Sequence, residues 1–304
     1  MGNLREIKAR IKTVGNTAKI TRTMELIATA KSQVCVSRIK ASLPYFHALA
    51  EVASQARKAG GDDESGGVHP LLQEREVKRV AILVVVANRG FCGGYNGNCL
   101  RLARDRRQAL IAEGKEVDLY VSGKKGISWM KFQGLDWVGE GYTTFEDKPA
   151  YEDVEGVADT LFTSFLSGGV DRVEVAYTHY ISAGRQQATI ETLLPIAPEA
   201  AEDDKAAKAD KAEAKAGANV DFIIEPDPAS ILATLFPLQA KLHLFRVYLE
   251  AATSEQIARQ IAMKNATENA SEMGQTLKMA YNRARQTQIT NEILEVIGGA
   301  EALN

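Results

Sequence analysis

Residues 3–58 and 228–303 both carry apolar side chains spaced three and four apart, the signature of a long amphipathic helix, and they sit at opposite ends of the chain. In the first segment Leu4, Ile7, Ile11, Val14 and Ala18 form a seam of coiled-coil type. The seam slips a position around Ile20, Met24 and Ile27, then resumes through Val34, Leu43, Phe46, Leu49 and Ala53. In the last segment Leu235, Leu238, Leu242, Phe245, Leu249 and Ala252 repeat the spacing, and Met273, Leu277, Ala280 and Ala284 continue it. Ile289, Ile293, Val296, Ala300 and Leu303 end it in a shifted register. Such helices are roughly 80 and 110 Å long at 1.5 Å per residue, against an average of about 11–12 residues. They bury their stripes most simply against each other. The expected architecture is therefore a rod with a globular domain attached.

Charge separates the two segments. Residues 3–58 hold eleven Lys or Arg and three Glu, a balance of +8, whereas seven basic and seven acidic residues cancel from Pro228 onward. A strongly basic helix in a chain of net charge −2 calls for an acidic partner. Its charges are spread along the whole length and interrupted by Glu6, Glu25 and Glu51, unlike the compact basic arm of a DNA-binding zipper. Three cysteines without a CxxC pair argue against a disulfide framework and for a reducing, cytosol-like compartment. No run approaches the ~20 apolar residues of a membrane-spanning helix, and the N-terminus shows no signal-peptide core.

The middle of the chain alternates. Arg79–Ala87 is a continuous β-branched run that suits a strand buried on both faces. A helix is expected over Asn98–Glu113, a strand over Val117–Val121, helices over Lys125–Phe132 and Tyr151–Leu166, and strands over Arg172–Tyr180 and Ala188–Leu194. This order predicts an α/β domain with a mostly parallel sheet. Residues 199–218 are almost wholly Ala, Lys, Asp and Glu and have nothing large to bury, so they read as a surface loop or an exposed helix. In Glu225-Pro226-Asp227-Pro228, Asp227 is a suitable N-cap and Pro228 a suitable first helical residue. The domain organisation expected is a first helix over 1–60, the α/β domain over 61–198, the charged loop and following segment over 199–224, and the second helix over 225–304.

Signals of chemistry are sparse. The loop Asn88–Gly97 lies where phosphate loops lie, but it matches neither glycine fingerprint, and no Lys-Ser/Thr pair opens the next helix. It reads as a tight turn whose glycines admit close backbone approach. His47, His69, His179 and His243 have no i,i+4 partner and no clustered Cys or carboxylate, so neither metal nor cofactor is expected. No nucleophile elbow, triad order or paired-carboxylate motif appears, and the chain is expected to hold no active site of its own.

Several motifs in order resemble one family. Lys19-Ile20-Thr21-Arg22-Thr23-Met24-Glu25-Leu26, the loop Arg89-Gly90-Phe91-Cys92-Gly93-Gly94-Tyr95-Asn96, and Glu225-Pro226-Asp227-Pro228 are similar to signatures of the γ subunit of bacterial-type F-type ATP synthase. So are Ser254-Glu255-Gln256-Ile257-Ala258-Arg259 with Met263-Lys264, Tyr281–Gln286, and Ile289–Glu292 with Glu295, Gly299 and Ala300. The matches run from near residue 3 to residue 302. There are two departures: Thr23 stands where the family usually has Ala, and Asp221-Phe222-Ile223-Ile224 lacks the two tyrosines frequent before the E-P-D-P turn. The charged loop has no cysteines, so redox gating is not implied.

The resemblance implies a long antiparallel coiled coil of the terminal helices plus a Rossmann-like α/β domain. It implies a central rotor shaft in the α3β3 ring, a non-catalytic subunit that couples proton or sodium flow to ATP synthesis and hydrolysis. Its partners would be the α and β subunits, the ε subunit and the c-ring of Fo, at the cytoplasmic face of the bacterial inner membrane. Motif position assigns Met24 to the shaft, Arg259 to a mid-helix contact, and Arg283, Gln286, Thr290 and Glu292 to the tip. Glu225 falls to the foot, facing ε and the c-ring. Two other readings remain open on the residues alone: a nucleotide-binding α/β enzyme with dimerising terminal helices, and a passive coiled-coil scaffold.

Overall fold

A computed structural model of the chain describes residues 2–60, 69–145, 147–196 and 228–301. The charged stretch 199–218, the segment Asp221–Ile224, Glu225 with most of its turn, and the turn-rich residues before Val68 lie outside these described residues. The elements in chain order are α1 (Gly2–Gly60), β1 (Arg79–Val85), α2 (Tyr95–Ala112), β2 (Glu116–Ser122), α3 (Lys124–Gln133), α4 (Tyr151–Leu166), β3 (Arg172–Ser182), β4 (Arg185–Leu194) and α5 (Pro228–Glu301). Contacts divide them into two compact units. One comprises Met1–Ala30, Phe91–Gly93 and Ile257–Asn304; the other comprises Lys31–Gly90 and Gly94–Gln256.

The second unit is built on a four-stranded sheet in the order β2-β1-β3-β4. β1 pairs in parallel with β2 and with β3, and β3 and β4 form an antiparallel hairpin. The uninterrupted apolar run of β1 is explained by cover on both faces. Val80, Ile82, Val84 and the following Val86 pack with Cys99, Leu100, Ala103 and Leu110 of α2 and with Met130 of α3. Ala81, Leu83 and Val85 face the opposite way and pack with Val154, Val157, Leu161 and Phe165 of α4 and with Leu244, Val247, Tyr248 and Ala251 of α5. Helix α4 carries Glu152 and Asp153 in its first turn, where negative charge complements the helix dipole.

Helix α2 starts three residues earlier than the sequence pattern suggests. Asn96 accepts the backbone N–H of Ala87 at 2.9 Å, and Tyr95 is buried with its hydroxyl donating to the Ala251 carbonyl at 3.0 Å. The loop after β1 is thereby tied into the helix, and helical geometry begins at Tyr95.

In the same unit, α5 departs from the expected single stripe. From Val247 to Ser254 every residue is buried, and so are Leu242, Leu244 and Gln256. A helix buried all round is a core element rather than one face of an amphipathic pair. The expected seam residues Leu242, Leu249 and Ala252 are buried, but so are Leu244, Val247, Tyr248, Glu250 and Ala251 between them.

Backbone geometry singles out Gly123, which precedes α3 at φ +110°, with an added Cβ falling 2.1 Å from the Val86 carbonyl oxygen. Gly123→Ala should destabilise the chain by about 3 kcal/mol or more. Gly156, in α4 with open space around it, should instead stabilise the chain by about 0.5–1 kcal/mol when replaced by Ala. Urea unfolding of the two full-length variants, followed by circular dichroism, checks both signs.

Candidate functional site

The first unit carries most of the residues singled out by motif position. Along α1 the side chains turned inward are Leu4, Ile7, Ile11, Val14, Ala18, Thr21, Met24 and Ala28, an unbroken heptad stripe. The slip expected at Ile20 and Ile27 does not occur. Those residues are 61% and 50% exposed, while Thr21 and Ala28 are buried. Small side chains let two backbones come close, and the larger apolar neighbours are left outside.

The matching stripe on α5 runs through Gln260, Met263, Thr267, Ala270, Gly274, Leu277, Tyr281, Ala284 and Gln288. The expected seam residues Leu277 and Ala284 lie in it, whereas Met273 and Ala280 are exposed. Two contacts define the pairing. Thr267 Oγ1 donates to Thr21 Oγ1 at 2.8 Å, and a Cβ built on Gly274 meets Val14 Cγ1 at 3.9 Å. Seven residues back along α1 correspond to seven forward along α5, so the two helices are antiparallel. Gly93, at φ +56°, lies beside Ala262, where an added Cβ is 3.7 Å from the alanine Cβ. The glycine loop is thus a turn that brings backbone against a helix, as the sequence suggested.

This register has a consequence at the end of α5. Residue 2 of α1 stands opposite residue 286, so the later turns of α5 run past the start of α1. Every residue from Ile289 to Gly298 is exposed, including Ile293 at 53%, Leu294 at 61%, Val296 at 72% and Ile297 at 55%. Thr290 and Glu292 lie on this exposed stretch, and Arg283 and Gln286, one to two turns before it, are exposed as well. The Thr290 hydroxyl donates to the Gln286 carbonyl at 3.0 Å, and Glu292 accepts from the Gln288 amide at 2.8 Å. Met24 is half-buried on the inner stripe, and Arg259 is buried at 8% exposure. Glu225 lies outside the described residues.

The first turns of α1 are exposed and basic. Arg10 pairs with Glu6 at 2.7 Å and Arg22 with Glu25 at 3.0 Å. Arg5, Lys8, Lys12 and Lys19 are exposed and have no carboxylate partner among the described residues. No acidic residue occupies the first turn of α1, so cations crowd the end where the helix dipole disfavours them. An external acidic surface would relieve both conditions.

In the sheet-bearing unit, the carboxyl ends of the strands mark the usual ligand crevice of an α/β sheet. Here α5 lies close by: the Tyr95 hydroxyl in the first turn of α2 donates to the Ala251 carbonyl, and Tyr248 and Ala251 share one core with Val85 and Tyr177. Asn88 in the loop after β1 is turned inward: its Nδ2 donates to the Thr143 and Phe145 carbonyls at 3.0 and 2.6 Å, and its Oδ1 accepts the Lys124 N–H at 2.9 Å. These contacts give the loop a packing role, in place of the phosphate cradle that the enzyme reading needs.

Sequence reasoning missed a titratable cluster between the hairpin and α5. Tyr177 Oη donates to Glu191 Oε1 at 2.7 Å, His179 Nδ1 lies 2.5 Å from Glu250 Oε2, and His243 Nε2 is 3.4 Å from Glu191 Oε2. Arg246 Nε lies 3.6 Å from Glu250 Oε1. The hydrogen bond to Glu250 raises His179 above the usual imidazole range, against the opposing effect of burial. Burial alone would raise Glu191, but His243, Tyr177 and Arg246 outweigh it and hold its carboxyl at about 2. Burial pushes the Tyr177 phenol up, helped by Glu250 and Glu191. The local signals were the two-residue spacing of Tyr177 and His179 on β3 and the i,i+4 spacing of Arg246 and Glu250 on α5, whereas the pairs between strand and helix lie far apart in sequence.

Comparison with known proteins agrees with this geometry. The family described as ATP synthase matches residues 3–303. The ATP synthase gamma chain of Rhodopirellula baltica is 42% identical over 304 residues, covering 100% of this chain and 99% of that one. The gamma chain of Leptospira biflexa is 38% identical over 305 residues, covering 100% of both. Among solved structures, a chain of the Euglena gracilis mitochondrial ATP synthase (OSCP/F1/c-ring, rotational state 3) superposes with a TM-score of 0.68 at 19% identity, over 99% of this chain and 95% of that one. A chain of the central stalk/c-ring of the Tetrahymena thermophila enzyme gives a TM-score of 0.54 at 19% identity, over 81% of this chain and 99% of that one. At that identity the structural likeness establishes the fold.

The His179–Glu250 contact makes a prediction about pH. A group whose pKa is raised on folding contributes stability in full below its unfolded value, about 6.5, and loses it as pH rises through the folded value. The urea midpoint of the full chain should therefore fall as the pH is raised above about 6.5, and His179→Gln should flatten that fall. Equal slopes for the two proteins would show that the pair does not titrate as described.

Proposed function

This chain belongs to the ATP synthase gamma chain family, and on that basis we propose that it is the central rotor shaft of an F1Fo ATP synthase. The observation that carries the reading is the bare end of α5, where Ile289, Ile293, Leu294, Val296 and Ile297 are exposed beyond the start of α1. An apolar surface of this kind marks an interaction site. The occupant proposed is the bore of a ring of three α and three β subunits.

The coupling follows from symmetry. A ring of three equivalent catalytic β subunits has no reason to hold its sites in different states. A shaft made of two unequal antiparallel helices presents a different surface to each β and so favours a different conformation in each. Turning the shaft permutes those preferences, which links rotation to ATP synthesis or hydrolysis. The shaft itself performs no bond chemistry in this reading; the β sites do. Proton or sodium flow through Fo turns the c-ring, and the foot of this chain, with Glu225, turns with it beside the ε subunit.

Residue roles are assigned accordingly. Arg5, Lys8, Lys12 and Lys19 face acidic loops on β. Arg283, Gln286, Thr290 and Glu292 make exchangeable polar contacts near the tip, where all four side chains are exposed. Met24 and Arg259 lie within the helix pair and act by keeping its shape. Among the described residues no helix is long and apolar enough to cross a membrane. Membrane association, proposed at the cytoplasmic face of the bacterial inner membrane, then runs through the c-ring.

Two measurements test the reading. MgATP hydrolysis by α and β subunits of the same organism should be fast and stable with this chain present, and should fall several-fold when residues 289–304 are removed. Replacing Arg283 and Gln286 together by Ala should leave the urea midpoint of the free chain within about 0.5 kcal/mol of wild type while ATP-driven proton pumping by the assembled enzyme drops. Normal pumping in that double variant would remove both residues from the coupling surface.

A further inference from the structure

Between the isolated bridge residue Tyr142 and the start of α4 at Tyr151, the chain forms neither helix nor strand among the described residues. It is nevertheless held by side chains. Asn88 grips its first half through the Thr143 and Phe145 carbonyls, and Phe145 stacks on Tyr248 of α5 with ring centroids 4.2 Å apart. Its second half carries Asp147, and both carboxylate oxygens of that residue are used. Oδ2 takes the ammonium of Lys31 on α1, and Oδ1 accepts from the amide of Gln256 on α5 at 2.6 Å. The Asp147 carbonyl also accepts the Cys35 thiol at 3.4 Å, and the Pro149 carbonyl accepts Arg38 at 3.0 Å.

The positions of these partners matter. Lys31 is the first residue of α1, and Gln256 the last of α5, that belong to the sheet-bearing unit. One carboxylate therefore joins the roots of both helices to each other and to the strap.

Burial argues that this arrangement serves position more than stability. The Lys31 and Asp147 side chains are 38% and 24% exposed, and partly exposed ion pairs contribute little net stability. Gln256 is 1% exposed and its Oε1 has no hydrogen-bond partner among the described residues. A buried amide with one unmatched end is unfavourable for folding alone. Here it is aimed at a single acceptor.

We propose that Asp147, bridging Lys31 and Gln256 within the sheet-bearing unit, is a clasp that holds α1 and α5 in one rotational setting there, and that coupling in the assembled enzyme depends on it. The clasp rests on the rotor reading above. Asp147 is a positioning residue: it fixes α1 at Lys31 against α5 at Gln256 within that unit, so that neither helix turns there independently of the other.

The test uses the complete enzyme in inverted membrane vesicles, with assembly, MgATP hydrolysis and ATP-driven proton pumping measured on the same preparations. Asp147→Asn removes the charge pair, and Gln256→Leu removes the amide while sparing it. Both variants should assemble and hydrolyse ATP near the wild-type rate, with pumping per ATP reduced roughly threefold, the size expected for one coupled contact. The exchange K31D/D147K should restore part of the loss. Wild-type pumping per ATP in both variants would overturn the clasp, as would failure of both to assemble, since the cluster would then be a folding element. Failure of the wild-type chain to support pumping at all would instead count against the rotor reading.

Discussion

The structure depends on the burial of α5 between Leu242 and Gln256. Over that span the helix has almost no free side, and eight successive residues from Val247 to Ser254 are buried. The sheet cannot complete its core without it, since Leu244, Val247, Tyr248 and Ala251 close the face that Ala81, Leu83 and Val85 present. The same helix then continues to Glu301 with a single inner stripe and finally with none. One element is therefore a core helix, half of a helix pair and a bare end in turn. Its sequence changes in step: mostly apolar and buried on nearly all sides, then small and polar in heptad spacing, then carrying exposed apolar residues that no described residue covers.

That gradient gives a physical account of a shaft. The anchored part resists twisting because its side chains are close-packed on every side. The paired part is thin, with Ala258, Ala262, Ala266, Ala270 and Gly274 among its residues, and it is stiffened by the antiparallel α1. A bare apolar end is tolerable only where another surface covers it. The ring of α and β subunits proposed above would supply that surface. The same partner would pair the exposed cations along the first turns of α1, since they face outward from the stripe.

Much of this could be read directly from the residues. β1 was recognisable because cover on both faces demands an unbroken β-branched run. α4 was recognisable because its apolar positions keep one period from end to end. The heptad of α1 was misread at Ile20 and Ile27 for a definite reason. Pattern reading weights large apolar side chains, whereas a close helix pair selects Thr21 and Ala28 and leaves the isoleucines outside. Arg283, Gln286, Thr290 and Glu292 were singled out by motif, and the structure adds that all four are exposed. The Asp147 strap and the His179–Glu250 contact could not be found in this way, because their partners are 109 and 116 residues away in one case and 71 in the other. No local spacing encodes such pairs; only the folded sheet and α5 bring them together.

The central claim is that this chain turns inside a ring that drives it. With the α and β subunits fixed to a surface and a gold particle attached to the sheet-bearing unit of this chain, MgATP should produce rotation in one direction with three dwells per turn. Hydrolysis at the normal rate with the particle diffusing without direction would contradict the account, because the sites would then be cycling without the shaft.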